Sequence, residues 1–163
     1  MKPLTQAIRD KIAMYIRNKQ DLSDLIADVD LKGADLAYGI ITRLERIGAD
    51  LSGCNFAHCV FGGGTNVIKF IRCKMQHCNF QGCTFESSGW IRACDMRGCT
   101  FRDANWYKVD YQHSDFTGGI FCNSVMRVGG MGGAGCKFDA SVFSDLARDF
   151  DYDVQIIEKP KEV

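Results

Sequence analysis

Residues 73–85 read CKMQHCNFQGCTF. Cys73, Cys78 and Cys83 recur every five residues, and each is followed two places later by Met75, Phe80 or Phe85. An α-helix repeats at 3.6 residues and a strand at two, so neither alone produces this spacing. Taking the large residue as the centre of each unit, the series runs Met75, Phe80, Phe85, Trp90. After a one-residue insertion it continues through Met96, Phe101, Trp106, Tyr111, Phe116, Phe121, Met126 and Met131. Two places before each centre stands a small residue, with Val109 the exception. Each unit therefore offers one large and one small side chain on the same side of a short extended segment, followed by residues that turn the chain.

The pattern extends in both directions. Upstream it takes in Leu31, Leu36, Ile41, Leu51, Phe56 and Phe61, with Arg46 breaking it in one degenerate unit. Downstream, two extra residues precede Phe138, and Phe143 follows. Phe61 to Met75 is fourteen residues, read as one short of three units, and Trp90 to Met96 is six. The two slips cancel, as expected of units stacked on a common axis. Four short segments close a square of about twenty residues, and such coils bury their apolar faces by stacking on neighbours.

Stretches such as KGADL, IGADL, GCNF, HCNF, GCTF, RDANW and HSDF resemble the signature of pentapeptide repeat proteins, over about residues 29–145. The resemblance implies an all-β solenoid, a right-handed quadrilateral parallel β-helix; the handedness comes from the family and not from the period. The expected organisation is an N-terminal helical cap at 1–28, about six coils at 29–145 and a C-terminal cap and tail at 146–163. A twenty-residue coil stacks Phe61, Phe80, Phe101 and Phe121 on one inner face, and Phe56, Met75, Met96 and Phe116 on another.

Eight of the nine cysteines then have a packing role. Cys54, Cys59, Cys73, Cys78, Cys83, Cys94, Cys99 and Cys136 fall at the small inward position, where a thiol serves as a small hydrophobe. Stacked neighbours such as Cys59, Cys78 and Cys99 have parallel Cβ vectors about 4.8 Å apart, a poor geometry for a disulfide. Cys122 follows a centre, points outward and is the candidate exposed thiol.

Leu4, Ile8, Ile12 and Ile16, spaced by four, give an amphipathic helix over 3–19 that covers the first coil and shields its open edge. The first twenty residues carry five basic residues and one acid, which raises a membrane-surface helix as the alternative, although the dense lysine array of such helices is absent. At the other end, ASVFSDLARDF reads as a short helix and DYDVQII as a strand. Phe150, Tyr152, Val154, Ile156 and Ile157 either cap the last coil or form a partner or homodimer surface.

Several motifs resemble chemistry without completing it. Gly130, Gly132 and Gly135 form G-x-G-x-x-G, but no helix pattern follows, so the segment reads as a loop. His58 and His77 are read as equivalent turn positions one coil apart, yet two ligands rarely hold zinc. No nucleophile, base and orienting group assemble, so no enzyme, cofactor or metal site is expected.

The family's best-known role, implied by the resemblance, is DNA mimicry: an acidic rod binds a type II topoisomerase and protects it from quinolones. Duplex DNA shows one negative charge per about 1.7 Å, so a rod of about 29 Å would need on the order of seventeen. Residues 51–148 carry seven acidic and ten basic residues, and the chain as a whole is neutral, with twenty of each sign. The surplus acid lies in residues 21–50 and from Asp149 onward. Arg97, Arg102 and Arg127 do not align into a nucleic-acid stripe. The preferred reading is a non-enzymatic protein-interaction module with an unidentified protein partner. The alternatives are a topoisomerase regulator and a secreted or membrane-targeted effector. A cytoplasmic location is expected, since the odd cysteine count fits a reducing compartment and the N-terminus lacks an apolar h-region.

Overall fold

The computed structural model describes residues 1–63, 67–86, 88–106, 109–122, 124–126, 135–139 and 155–157. Two helices, α1 (Gln6–Arg17) and α2 (Ser23–Ile26), precede β1 (Ile40–Ile41), β2 (Leu44–Ile47), β3 (Val60–Phe61), β4 (Ile68–Ile71), β5 (Thr84–Phe85) and β6 (Gly89–Arg92). There follow β7 (Asn105–Trp106), β8 (Val109–Asp110), β9 (Val125–Met126), β10 (Lys137–Asp139) and β11 (Gln155–Ile157). Every pairing is parallel.

The pairings fall into four ladders, one for each side of a square tube. One sheet runs β1-β3-β5-β7-β9 and a second β2-β4-β6-β8. Isolated bridges make the other two sides, Asp35–Asn55–Asn79–Thr100–Ile120 and Asp50–Lys74–Asp95–Asp115–Lys137. The fold is thus a four-sided parallel β-helix. β10 pairs with β11, which sets Phe138 beside Ile156 in the ladder.

The five-residue unit makes this shape through two local devices. Its Asp or Asn accepts a hydrogen bond from the amide two residues on, as in Asp35 to Ala37, Asn55 to Ala57, Asn79 to Gln81, Asp95 to Arg97 and Asp115 to Thr117. That bond starts the turn. The residue two past the centre then takes a left-handed φ, at Gly33, Tyr38, Gly53, His58, His77, Gly82 and onward. Non-glycine residues there accept a cost of about 1–2 kcal/mol each. Between the devices, the small residue and the centre point inward and are buried.

Inside, side chains stack in columns. Phe56, Phe80, Phe101 and Phe121 form one, with successive ring centroids 5.1, 5.5 and 4.6 Å apart and nearly parallel planes. Phe61 stacks on Phe85, and Phe116 on Phe138. The expected stacking of Phe80 on Phe101 and of Phe101 on Phe121 is present. The expected pairs Phe61–Phe80 and Phe56–Met75 are not: Phe80 lies over Phe56, and Met75 over Leu51, whose neighbouring residues Asp50 and Lys74 are bridged.

The reason is the slip after Phe61. Fourteen residues to Met75 are two units with a four-residue insertion, not three units short by one. The next inward centre is Phe70, paired with Arg46 across β2 and β4. The second slip also lies elsewhere than expected. Ile91 is the fully buried centre, whereas Trp90 is 36% exposed, so the extra residue precedes Trp90.

Arg46 holds the centre position that the sequence marks as degenerate. Its side chain is 6% exposed and turns under the first coil. There the guanidinium donates to the carbonyls of Ile26, Ala27, Glu45 and, at 3.4 Å, Val29. A long cation thus satisfies backbone carbonyls at the end of the tube, where a phenyl ring would leave them bare.

The N-terminal cap matches the expectation. Thr5 caps α1 by accepting from the Ile8 amide, Ile12 is buried, and Leu4, Ile8, Tyr15 and Ile16 pack against the core. Lys2 bridges Val29, so a strand segment also covers the first edge. At the other end β11 lies within the expected DYDVQII strand, while the ASVFSDLARDF helix falls outside the described residues.

Candidate interaction surface

The cysteines show that the interior is packing. All eight inward thiols are buried, none is in a disulfide, and Cys122, the candidate exposed thiol, is half-buried. Most donate to the carbonyl of a centre in the coil below: Cys54 to Leu31 at 2.7 Å, Cys59 to Leu36 at 2.9 Å, Cys78 to Leu51 at 3.0 Å and Cys99 to Met75 at 2.9 Å. Ser114 makes the same bond to Ile91 with its hydroxyl, which explains why a small donor suits the site. The Trp106 indole donates to the Cys83 sulfur at 3.0 Å. Burial pushes Cys59 and Cys136 up to about 12 and raises Cys83 as well. Cys54 is raised by its neighbour Cys78 and by burial. Cys94 is raised by Cys73, which is itself lowered, first by the bond from Cys94 and further by backbone amides and the Arg46 charge. The stacked column is Cys54, Cys78 and Cys99, since the slip after Phe61 moves Cys59 beneath Cys83.

The histidines are corner pieces. His58 stacks on Tyr38, with centroids 4.8 Å apart, and its ring covers Gly82 in the coil above. His77 covers Gly98 and His113 covers Gly135 in the same way, and a Cβ on any of these glycines would collide with the ring. His58 and His77 therefore stand on different corners, not one above the other as the sequence reading had them. Among the described residues no group of three His, Cys, Asp or Glu side chains could hold a metal ion. No described helix is long and apolar enough to cross a membrane. Gly130 and Gly132 of the glycine-rich stretch, and Phe150, Tyr152 and Val154 of the proposed partner surface, lie outside the described residues. Ile156 and Ile157 sit in β11, paired with Phe138 and Asp139.

The outer side of the β2-β4-β6-β8 sheet is different in kind. Its strands reach four residues, so outward side chains stand in register across coils: Glu45, Lys69, Trp90 and Asp110 in one row, Ile47, Ile71 and Arg92 in the next. Lys69 Nζ lies 5.2 Å and Arg92 Cζ 4.6 Å from the Trp90 ring centroid, so the indole makes cation–π contacts with both. Each cation is held in turn, Lys69 by Glu45 at 3.3 Å and Arg92 by Asp110. Ile47 is 63% exposed beside this row. The result is a surface with a part-exposed aromatic ring in contact with two cations and an isoleucine next to it. Its signal in the sequence was Trp90, which the period count had assigned to the core.

A family model described as pentapeptide repeats, nine copies, matches residues 47–93. No curated protein sequence matches the chain. Among solved structures, the chain is similar to a pentapeptide repeat protein of the Arabidopsis thaliana thylakoid lumen, at 20% identity and a TM-score of 0.37, covering 68% of this chain and 66% of that one. It is similar to QnrB1, a plasmid-mediated fluoroquinolone resistance protein, at 13% identity and a TM-score of 0.37, covering 79% and 86%. It is similar to HetL of the cyanobacterium Nostoc, a pentapeptide repeat protein involved in heterocyst differentiation regulation, at 13% identity and a TM-score of 0.21, covering 66% and 68%.

Proposed function

We propose that this chain, a pentapeptide repeat protein, works as a non-enzymatic interaction module that engages a protein partner through the outer side of the β2-β4-β6-β8 sheet. The observation that carries the reading is Trp90, exposed and in cation–π contact with both Lys69 and Arg92. Tryptophan and arginine dominate the energetics of protein interfaces. The neighbouring Ile47 and Ile71 add apolar area, while Glu45 and Asp110 supply a polar rim, the anatomy of a partner-binding patch.

The test is capture from the native cell extract by the intact protein and by its Trp90→Ala variant. The reading expects at least one partner retained by the first and lost by the second. Equal capture by both, or turnover of a small molecule by the purified protein, would overturn it.

A duplex-mimicking topoisomerase regulator is the weaker reading. Two of the coil acids are tied to neighbouring cations, Asp95 to Arg97 and Asp110 to Arg92, which reduces the free negative charge of the rod. Supercoiling by DNA gyrase with and without a quinolone separates the two readings. Flotation on liposomes, with and without residues 1–20, separates both from a membrane-targeted effector.

A further inference from the structure

The stacked thiols inside the tube are not all alike. Cys54, Cys78 and Cys99 each donate to one carbonyl, at 2.7, 3.0 and 2.9 Å. Cys59 does the same at 2.9 Å, and the Cys83 sulfur is taken by the Trp106 indole. Cys73 and Cys94 stand in adjacent rungs, because the residues that follow them, Lys74 and Asp95, are bridged. Each of these two sulfurs divides its proton between two carbonyls at longer range: Cys73 between Arg46 at 3.4 Å and Ile71 at 3.6 Å, Cys94 between Phe70 at 3.3 Å and Arg92 at 3.5 Å. Ala49 lies below the pair and Ser114 above it, so no third thiol adjoins them in the column.

The charge beside this pair is the second observation. Arg46 is 6% exposed and makes no ion pair among the described residues. Its terminal nitrogens donate to backbone carbonyls, and its buried Nε has no hydrogen-bond partner. Asp28, an acid whose charge reaches it, is exposed and tied to Lys2. The Arg46 charge acts on the Cys73 sulfur. A buried cation with only neutral acceptors calls for a negative group near it.

We propose that Cys73 and Cys94 form a two-coordinate site for a soft monovalent cation, Cu(I), with Arg46 as its counter-charge. Rungs about 4.8 Å apart hold the two sulfurs too far apart for a disulfide, which wants Cβ atoms about 3.8 Å from each other. A thiolate–metal bond on the scale of about 2.3 Å, doubled in line, spans about 4.6 Å and fits the rung spacing. Thiolate ligands select Cu(I). Binding releases both thiol protons, and two thiolates with one monovalent ion carry a single negative charge, which the Arg46 guanidinium balances. A divalent ion on the same pair would be neutral and leave Arg46 without a counter-charge. Zinc also wants four ligands, and no group of three His, Cys, Asp or Glu side chains suits a metal among the described residues. The site is independent of the Trp90 surface.

The test titrates the reduced full chain with Cu(I), without oxygen, against a chromophoric Cu(I) chelator. One equivalent should bind most tightly, with two sulfur neighbours in X-ray absorption and slower amide exchange at Lys74 and Asp95. Equimolar Zn(II) should not displace it. Cys73→Ser/Cys94→Ser should lose that equivalent, and the Ser114 hydroxyl in the same column shows that serine is accommodated there. Cys54→Ser/Cys78→Ser should keep it, and Arg46→Gln should bind about tenfold or more weakly. Should Arg46→Gln fail to fold, the two serine pairs still decide. No binding to the folded chain, binding kept in Cys73→Ser/Cys94→Ser, loss in Cys54→Ser/Cys78→Ser, three or more sulfur neighbours, or displacement by Zn(II) would each overturn the proposal.

Discussion

Two sides of the tube use the same coil in opposite ways. On the side that stacks Phe56, Phe80, Phe101 and Phe121, each coil adds one bridged residue outside: Asp35, Asn55, Asn79, Thr100 and Ile120. Asp35, Asn55 and Asn79 turn back on their own backbone, and Asn55 also donates to Asp35. Little is left to offer a partner. On the β2-β4-β6-β8 side the strands are longer, the outward residues are not needed to make turns, and they touch one another in rows. The pentad spends its polar residue on building the corner; a side relieved of that task can carry a surface.

The largest effect that probes this contrast is inside the first side. Phe80→Ala removes a ring stacked against Phe56 and Phe101 and edge-on to Trp106. It should cost about 3–5 kcal/mol in chemical denaturation, with neighbouring coils losing amide protection.

The thiol columns give the next effect. An unfolded thiol ionises near pH 8.5, whereas Cys59 and Cys136 do so only at about 12 in the folded chain. Their raised values mean that the stabilisation is complete below about pH 8.5 and is lost as pH rises from there toward 12. Each such thiol should take away about 1.4 kcal/mol per pH unit inside that window. Denaturant midpoints measured from pH 7 to 10.5 should therefore fall steeply, and Cys59→Ala should flatten the slope.

Gly98→Ala tests the corners. The new methyl meets the His77 ring at a left-handed φ of 68°, and about 1–3 kcal/mol should be lost. Removing the ring with His77→Ala should restore part of it. Trp90→Ala, by contrast, should change stability by under about 1 kcal/mol, the weight of an exposed cation–π contact, while abolishing partner capture. A destabilisation as large as that of Phe80→Ala would break the distinction between the two sides.

The smallest effect is at acid pH. Asp95, held low first by the hydrogen bond from Arg97, and Asp50, held low first by Lys32, favour the folded chain above the ordinary carboxylate range. That contribution should persist to about pH 4 and fade below it. As both pairs are exposed, salt should reduce it.

The architecture was legible in the sequence because burial imposes the five-residue rule on every coil. The cysteine positions followed from the same rule, and the N-terminal helix from apolar residues spaced by four. The register below Met75 was not legible. A spacing of fourteen fits three units less one or two units plus four, and the inward-facing residues alone do not choose between them. Only the Phe70 pairing does. Trp90 was misread for a related reason. It stands five places after Phe85, but counting back from Met96 in fives lands on Ile91, and burial sides with the backward count. Arg46 broke the apolar pattern because the coil end needs donors more than it needs hydrophobicity. The candidate surface was hidden because its main residue looked like core.

Both length irregularities, between Phe61 and Phe70 and between Phe85 and Ile91, fall at one edge of the square, where the chain passes into the β2-β4-β6-β8 side. Hydrogen bonds between coils index each rung on the one below it, so surplus chain at that edge leaves the rungs above it in register. A lineage could lengthen or shorten loops there while keeping the barrel intact. It would thereby vary the border of the tryptophan face at little expense to folding.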